Sequence, residues 1–155
     1  MFFTGSLLER PCQLDPTSSE QYVAFPESTL PQFHNVPGRS SSKKFVIKLF
    51  NCQATWFGKV VTVVFSGEQD PGVPGALKVT GVNSGKLAIQ LIDQDGITPL
   101  PLGKIHHASN GDVIAADSFT LNFSAYVTAT PKALADRSVE AGDYAAIATF
   151  KINYQ

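Results

Sequence analysis

The sequence has almost no excess charge of either sign. Twelve basic and thirteen acidic side chains give a formal net charge of -1 and a pI near 6.3. Binding to nucleic acid needs a basic stripe that neutralises phosphates, and none is visible, so nucleic acid is excluded as a partner. Internal repeats, low-complexity tracts and interdomain linkers are also lacking. The 155 residues, 43% of them hydrophobic, therefore predict one domain with a real core.

The first residues lack the features of a signal peptide. No basic region precedes the apolar residues, no long apolar run follows, and Glu9, Arg10 and Pro11 come at once. The stretch is also too short to span a membrane. We therefore expect no direct membrane insertion, and we expect that a signal peptide is not present in this sequence.

Cysteine is scarce, with only Cys12 and Cys52 in the chain. Neither has a second ligand at the spacing of a zinc site, so a metal centre of that kind is not expected. A disulfide between them would close a loop of about forty residues and contribute about 4 kcal/mol of stability. On the residues alone, two buried free thiols remain equally open.

Catalytic and ligand-binding motifs are absent or incomplete. Residues 81–86, GVNSGK, are similar to a phosphate loop but are one residue short and lack the final Ser or Thr, which favours a hairpin turn. Residues 93–96, DQDG, have their glycine too early for a calcium loop and again indicate a turn. No G-x-S-x-G motif occurs, and the carboxylates are scattered. We predict no enzyme and no cofactor.

Two pairs of adjacent residues, one of histidines and one of aromatics, are candidates for ligand binding. His106 and His107 lie near Asp112, but adjacent side chains on an extended backbone point apart, which favours a solvated loop over a metal site. Trp56 and Phe57 are candidates for a recognition platform. Packing in the core or between strands is the more common role for such aromatics, and we predict it here.

Val, Ile, Thr and Phe are plentiful and turn residues recur, which indicates an all-β chain. About seven strands at this spacing predict an immunoglobulin-like sandwich. A helical turn is expected within residues 131–139, and residues 27–42 and 96–111 are expected to be mostly loop. The predicted strands are residues 5–14, 21–25, 45–52, 59–66, 77–82, 87–92, 118–129 and the C-terminal segment.

The C-terminal segment, residues 142–155, has the most regular alternation. A strand turns successive side chains to opposite faces, so its alternate apolar or small residues predict one apolar face. A long apolar strand at the end of a chain invites pairing with another chain, although most such strands simply close a sandwich. We call these residues the C-terminal row: Tyr144, Ala146, Ala148, Phe150, Ile152 and Tyr154.

The N-terminus repeats this pattern in a shorter form. Met1, Phe3, Gly5 and Leu7 alternate with other residues, which predicts an extended arm with strand character. The glycine marks a place where another backbone or a bulky side chain comes close. Both ends of the chain thus have the pattern of strands without a neighbour.

These termini carry a resemblance to a known family. A glycine fourteenth from the C-terminus, the alternation after it and the penultimate Tyr154 are similar to the terminal motif of chaperone–usher pilus subunits, the fimbrial pilins. FTGSLL (3–8) followed by RPC (10–12) resembles a pilin donor extension that runs into the first strand. Matches at residues 45–52, 77–96 and 124–134 extend the resemblance over nearly the whole chain. It is nearest to the adaptor subunits of tip fibrilla.

The resemblance implies a specific fold. Pilins have an incomplete immunoglobulin-like β-sandwich that lacks its seventh strand and is completed by a donor strand from another chain. It implies a donor-strand extension at residues 1–10 and a pilin domain at residues 11–155. It also implies a disulfide between Cys12 and Cys52, formed in the oxidising periplasm.

It further implies a set of site residues. Phe3, Gly5 and Leu7 belong to the donor arm, with the glycine at a constricted site. The acceptor groove, which is also the chaperone-binding strand, comprises Gly142 and the C-terminal row. The free carboxylate of Gln155 is the chaperone anchor.

The partners implied are a periplasmic pilus chaperone, the outer-membrane usher and neighbouring pilus subunits. The chain is expected in the periplasm during assembly and outside the cell as part of a pilus afterwards. Alternatives within the class are a major rod pilin and a terminator subunit. A carbohydrate-binding module, with loops near Trp56 and His106 gripping a sugar, is an alternative outside it.

Overall fold

The computed structural model describes residues 1–5, 10–25 and 27–155. Within these residues the chain forms two antiparallel sheets, three short α-helices and a 3-10 turn at Ala54–Trp56. The elements in chain order are β1 (Gln13–Leu14), α1 (Pro16–Ser19), α2 (Leu30–His34), β2 (Lys43–Phe50), β3 (Val60–Gly67), β4 (Gln69–Asp70), β5 (Val73–Lys78), β6 (Leu87–Ile92), β7 (Asp112–Val113), β8 (Phe119–Ala129), α3 (Pro131–Asp136) and β9 (Ala148–Tyr154).

The larger sheet has six strands in the order β1-β2-β8-β6-β5-β4, and the smaller has three in the order β7-β3-β9. Their inner faces enclose the core. The Phe65 ring of β3 lies edge-on to Phe45 of β2 and Phe123 of β8, with centroids 6.0 and 5.2 Å apart. Such edge-to-face pairs add to the stability gained from burial. The predicted sandwich is therefore confirmed.

The central strands agree closely with the sequence pattern. Residues 45–52 and 118–129 were predicted from their alternation and correspond to β2 and β8, and residues 59–66 and 87–92 correspond to β3 and β6. All six residues of β6 are buried, since both faces of this strand are covered. A near-continuous apolar run suits such a position.

The first strand is much shorter than predicted. Only Gln13–Leu14 pairs with β2, and no strand forms at residues 21–25; residues 6–9 lie outside the described part. Side chains replace the missing ladder. The Lys48 N–H of β2 donates to Ser18 Oγ at 2.9 Å, and Gln21 Nε2 donates to the Val46 carbonyl at 2.7 Å. With these groups of β2 satisfied, the chain at residues 18–25 runs beside β2 without joining it.

The C-terminal strand also begins later than the alternation predicted. Its ladder starts at Ala148, whereas Ala145 makes an isolated antiparallel bridge to Thr80 beyond the end of β5. The Thr80 N–H donates to the Ala145 carbonyl at 2.8 Å. The segment therefore starts against the larger sheet and crosses to β3 of the smaller one. It bridges the two layers at one edge of the sandwich.

Cys12 and Cys52 form a disulfide and are both buried. The pairing implied by the family resemblance is confirmed, and the alternative of two free thiols is wrong. The bridge joins the start of the chain to Cys52, which lies two residues after the end of β2. It fixes the point from which the N-terminal arm departs.

The helices are short connections. The predicted helical turn after residue 130 is α3, whose first turn is capped by Thr130 Oγ1 accepting from the Ala133 N–H at 3.3 Å. The loop predicted at residues 27–42 contains α2. In the described ranges no helix has the length and apolar character needed to cross a membrane.

Candidate functional site

β9 lies at the edge of its sheet and pairs with β3 alone. The register places Tyr154 opposite Val61, Ile152 opposite Val63 and Phe150 opposite Phe65. On its other side β9 has no strand neighbour among the described residues. The expectation that the terminal strand would be left without a second partner agrees with this arrangement.

The backbone of β9 directs hydrogen-bonding groups into this open side. Val60 and Gln155 exchange both N–H···O bonds at 2.8 Å, so they form a hydrogen-bonded pair of the ladder. Bonding alternates along an antiparallel pair, and alternate residues therefore turn their N–H and C=O groups away from the partner strand. In β9 these are Tyr154, Ile152 and Phe150. The residues whose outward backbone groups have no strand partner in the described part of the chain are thus members of the apolar C-terminal row.

The side chains of the row contact the core without being covered by it. Tyr144, Ala146, Phe150, Ile152 and Tyr154 are half-buried and pack on core residues, whereas Ala148 is exposed. A strand that closes a sandwich normally buries its inner face completely. One side of this row therefore lacks the covering that a neighbouring strand would supply.

A cleft opens between β9 and the first part of the chain. We call it the near cleft; its volume is about 180 Å³. One wall is the segment with Ser18, Gln21 and Val23, and the other contains Ala146, Ala148 and Phe150. The floor is formed by apolar side chains of both sheets, Phe45, Ile47, Phe65, Leu77, Ile89 and Leu91. The groove thus lies directly over core side chains, which, apart from the half-buried Phe45, are themselves almost fully buried.

A second cavity, the far cleft, continues the groove beyond the start of β9. Its volume is about 670 Å³, and it lies between Phe25 and Leu30 on one side and Gly142 and Tyr144 on the other. Phe25 lines both clefts and stands at their junction. Together the two clefts make one groove along the whole C-terminal segment up to Phe150. Ile152 and Tyr154 continue the row past the near cleft.

The surroundings of the C-terminal row shift the pKa of two tyrosine hydroxyls. Desolvation raises the pKa of the Tyr144 and Tyr154 hydroxyls above the ordinary value of 10.0, and at Tyr154 the positive charge of Arg10 partly offsets this effect. Trp56 contacts Tyr154 with ring centroids 6.4 Å apart. The packing role predicted for this tryptophan is therefore confirmed, while Phe57 beside it is 42% exposed.

Two of the predicted arm residues, Phe3 and Gly5, are not in contact with the groove of their own chain. Phe3 is 87% exposed, and no atom lies within 4 Å of a Cβ placed on Gly5. Leu7 lies outside the described residues. The structure therefore does not bring the described arm residues, Phe3 and Gly5, to the groove of the same chain.

The histidine pair differs from its prediction. His106 is fully buried, not solvated: the Val63 N–H donates to its Nδ1 at 3.0 Å, so its Nε2–H donates to Asp112 Oδ2 at 2.8 Å. His107, 55% exposed at its side chain, binds the other oxygen of the same carboxylate at 3.0 Å. The buried ring closes the edge of β3 opposite β9, which is a structural role. Among the described side chains no cluster of metal-ligand type is present.

The geometry of the site defines the class: a sandwich with an unpartnered terminal strand and an open apolar groove. The chain belongs to the fimbrial protein family, whose model matches residues 1–155. It is a structural subunit of a chaperone–usher pilus, and it acts outside the cell in contact with other pilus subunits. The predicted incomplete immunoglobulin-like fold is confirmed.

Individual relatives and a solved structure are similar to the chain over nearly its whole length. The chain is 46% identical over 153 residues to the fimbrial adapter PapK of Escherichia coli, covering 99% of this chain and 86% of that protein. It is 47% identical to the protein PrsK of Escherichia coli with the same coverage. Among solved structures, the P pilus rod subunit PapA superposes with a TM-score of 0.78 at 20% identity, covering 94% of this chain and 100% of that chain.

Sequence reasoning missed one wall of the groove and part of the lining of its far end. Within the wall at residues 18–25, residues 21–25 were predicted to pair as a strand, and no groove wall was expected there. The far cleft depends on Asn83, Val139 and Glu140, which are distant along the chain. The predicted groove residues Gly142 and Tyr144 do line the far cleft, but the turn predicted at residues 81–86 was not expected to contribute to it.

Proposed function

We propose that the groove is the acceptor site for a strand supplied by another chain. A periplasmic chaperone occupies it first, and the N-terminal arm of a neighbouring pilus subunit replaces the chaperone strand during assembly at the outer-membrane usher. This chain's own arm fills the groove of the subunit on its other side. The chain acts as an adaptor of the pilus tip and needs neither catalysis nor a cofactor.

One observation carries this proposal. Phe150, Ile152 and Tyr154 present backbone groups without a strand partner among the described residues, and half-buried apolar side chains, on the same open side of β9. An added strand satisfies both needs at once, since its backbone completes the ladder and its alternate side chains fill the groove. A small ligand covers only part of such a surface. The length of the groove and its exposed sheet edge therefore favour an extended polypeptide.

The energetics support a need for the partner. Full burial of a large apolar side chain contributes about 1.5–3 kcal/mol, so covering the exposed halves of five or six of them contributes on the order of 5 kcal/mol. Small domains are stable by only about 5–15 kcal/mol. A lone subunit is thus expected to be marginally stable and prone to pair through β9 with unrelated edges. A chaperone strand in the groove adds the missing stability and keeps β9 from pairing with unrelated edges.

The C-terminus supports the role of an anchor. Gln155 is held in the ladder by its two bonds with Val60, so its carboxylate is fixed at the end of β9. A carboxylate in a fixed position binds well to a basic side chain of a partner. We assign the chaperone anchor to this group, and the donor roles to Phe3, Gly5 and Leu7.

The adaptor role is favoured within the pilus class. A terminator is expected to lack a usable groove, whereas the near and far clefts together leave room for a strand. The identity with the fimbrial adapter PapK is 46%, against 20% with the rod subunit PapA, which favours the adaptor over the rod pilin. A sugar-binding role is not favoured, since Trp56 packs on Tyr154 and His106 is buried.

Periplasmic co-expression with a pilus chaperone tests the proposal. We expect a one-to-one complex that protects the C-terminal row and that releases the chaperone when a peptide with alternating apolar residues is added. The matched control is the same chain with Phe150→Asp, which keeps β9 but places a charge in the groove. Equal complex yield for the two chains, or no complex with the unsubstituted chain, would contradict the proposal.

A further inference from the structure

The far end of the groove is held by one buried side chain. Asn83 follows β5 and is 1% exposed. Its Nδ2 donates to the Glu140 carbonyl at 2.7 Å, and its Oδ1 accepts from the Glu140 N–H at 2.8 Å. A side-chain amide offers one donor group and one acceptor in the same plane, as a peptide group does. Asn83 therefore pairs with Glu140 as a neighbouring strand would.

Residues around this pair fix the same stretch of chain. The Thr80 N–H donates to the Ala145 carbonyl at 2.8 Å, and a Cβ on Gly81, whose φ is +99°, would lie 2.5 Å from the Asp143 carbonyl oxygen. Glycine at this position permits the close approach of the two backbones. Residues 140–145 are thus fastened to residues 80–83 before they reach β3.

The fastened stretch is one wall of the far cleft. Asn83, Glu140, Gly142 and Tyr144 line it, and Phe25 lines the opposite side. Residues 140–147 contribute no strand to either sheet, and Ala145 alone forms a bridge. The position of this wall therefore depends on side-chain and turn contacts, and Asn83 supplies two of its hydrogen bonds.

We infer that Asn83 is a positioning residue for the incoming strand. By holding Glu140, it keeps the far cleft open between Phe25 and Tyr144 before any partner arrives. A site that is formed in advance costs less to occupy than one that must be ordered on binding. This inference rests on the proposed function of the groove, and it adds the residue that preforms the groove's far end.

The test compares Asn83→Asp with the unsubstituted full-length chain. Asp keeps the shape and the acceptor but loses the Nδ2 donor, so the Glu140 carbonyl loses its partner. The probe is a panel of synthetic peptides with apolar residues at alternate positions, including residues 1–11 of this chain. Insertion is followed by native mass spectrometry at several peptide concentrations, together with amide exchange of the Thr80 N–H.

The matched control is Gln90→Ala, which also removes a buried amide. Gln90 is 6% exposed and its Nε2 donates to the Leu91 carbonyl at 2.9 Å, but it lines neither cleft. It reports the effect of lost core stability alone. If Asn83→Asp does not fold, Asn83→Ser is measured in its place, because it removes both bonds to Glu140 without placing a charge in the core.

We expect the half-saturating peptide concentration of the Asn83 variant to rise by about tenfold, with the limiting rate little changed. Exchange of the Thr80 amide is expected to quicken, and Gln90→Ala should shift neither quantity. Equal half-saturating concentrations for the Asn83 and Gln90 variants would overturn the positioning role and leave the groove proposal intact. Failure of the unsubstituted chain to take up any peptide would overturn the proposed function itself, and this role with it.

Discussion

Phe150 lies directly opposite Phe65 in the ladder between β9 and β3, and their ring centroids are 6.0 Å apart. The two rings have different surroundings. Both line the near cleft, but Phe65 is 3% exposed and packs on Phe45 and Phe123, whereas Phe150 is half-buried. The boundary between the closed core and the open groove therefore passes between these two residues.

The first prediction concerns this boundary. Phe150→Ala should lower the free energy of unfolding of the lone chain by about 1–2 kcal/mol, less than the roughly 3–5 kcal/mol typical of a fully buried Phe. With an inserted peptide the loss should increase, since the strand buries the rest of the ring. Urea denaturation with and without peptide measures both values.

Lys151→Ala is the control for that substitution, because Lys151 is exposed on the opposite face of the same strand. We expect its effect to stay within about 0.5 kcal/mol in both states. A loss at Phe150 that is the same with and without peptide would show that the ring does not face the inserted strand.

The second prediction concerns the two phenols of the row. Desolvation raises the pKa of Tyr144 and Tyr154 in the folded chain. Because these folded-state pKa values exceed the unfolded value of about 10, the corresponding stability is present below pH 10 and is lost as the pH rises through the folded-state pKa. A strand in the groove should raise both pKa values further.

Tyrosinate absorbance during an alkaline titration measures this effect. Tyr144→Phe and Tyr154→Phe assign the two transitions, and Tyr22, which is fully exposed, provides the reference. Identical titration curves with and without an inserted peptide would contradict the placement of the two rings beside it.

The third prediction concerns the disulfide. Cys12→Ser combined with Cys52→Ser should lower the free energy of unfolding by about 2–4 kcal/mol, because the sequence separation is 40 residues and the loop is freed in the unfolded chain. Changing both cysteines leaves no single reactive thiol. Urea denaturation under oxidising and reducing conditions provides the measurement; unchanged stability of the double variant would contradict it.

The fourth prediction concerns the arm. Gly5→Leu should leave the chain's own fold and its complex with a chaperone unchanged, since nothing lies within 4 Å of the added Cβ. It should block insertion of the arm into a preceding subunit if the glycine meets a constriction there. Thr4→Leu, at the neighbouring exposed position, is the matched control. Assembly assays with purified subunits compare the two, and equal assembly refutes the assigned site.

The sequence pattern was most informative where a residue's surroundings are periodic. β2, β8 and the C-terminal row alternate because each strand has one face on the core, and this alternation survives in β9 although its neighbour is missing. The absence of that neighbour was not deducible from β9 alone, since a complete sandwich has the same pattern. It followed from the resemblance to pilins and from the matching pattern in the N-terminal arm.

Features held by side-chain contacts were not predictable in this way. Ser18 and Gln21 bind the backbone of β2 in place of a strand, so the strand predicted at residues 21–25 does not form. His106 was placed in solvent because it sits in a polar loop, yet Val63 and Asp112 satisfy both of its ring nitrogens in the core. Such hydrogen bonds join residues that are far apart in sequence or that have polar neighbours. Hydrophobic periodicity gives no information about contacts of this kind.

The most direct measurement adds the missing strand to the chain itself. A ten-residue segment with apolar residues at alternate positions, joined to Gln155 by an Asn-Gly turn, can fold back antiparallel to β9 and fill the groove. The control carries Ser and Asp at those alternate positions. If the sandwich lacks one strand, calorimetry should show the apolar fusion melting about 10–20 °C above the control. Equal melting temperatures, with β9 still protected from amide exchange only on its β3 side, would contradict an acceptor groove.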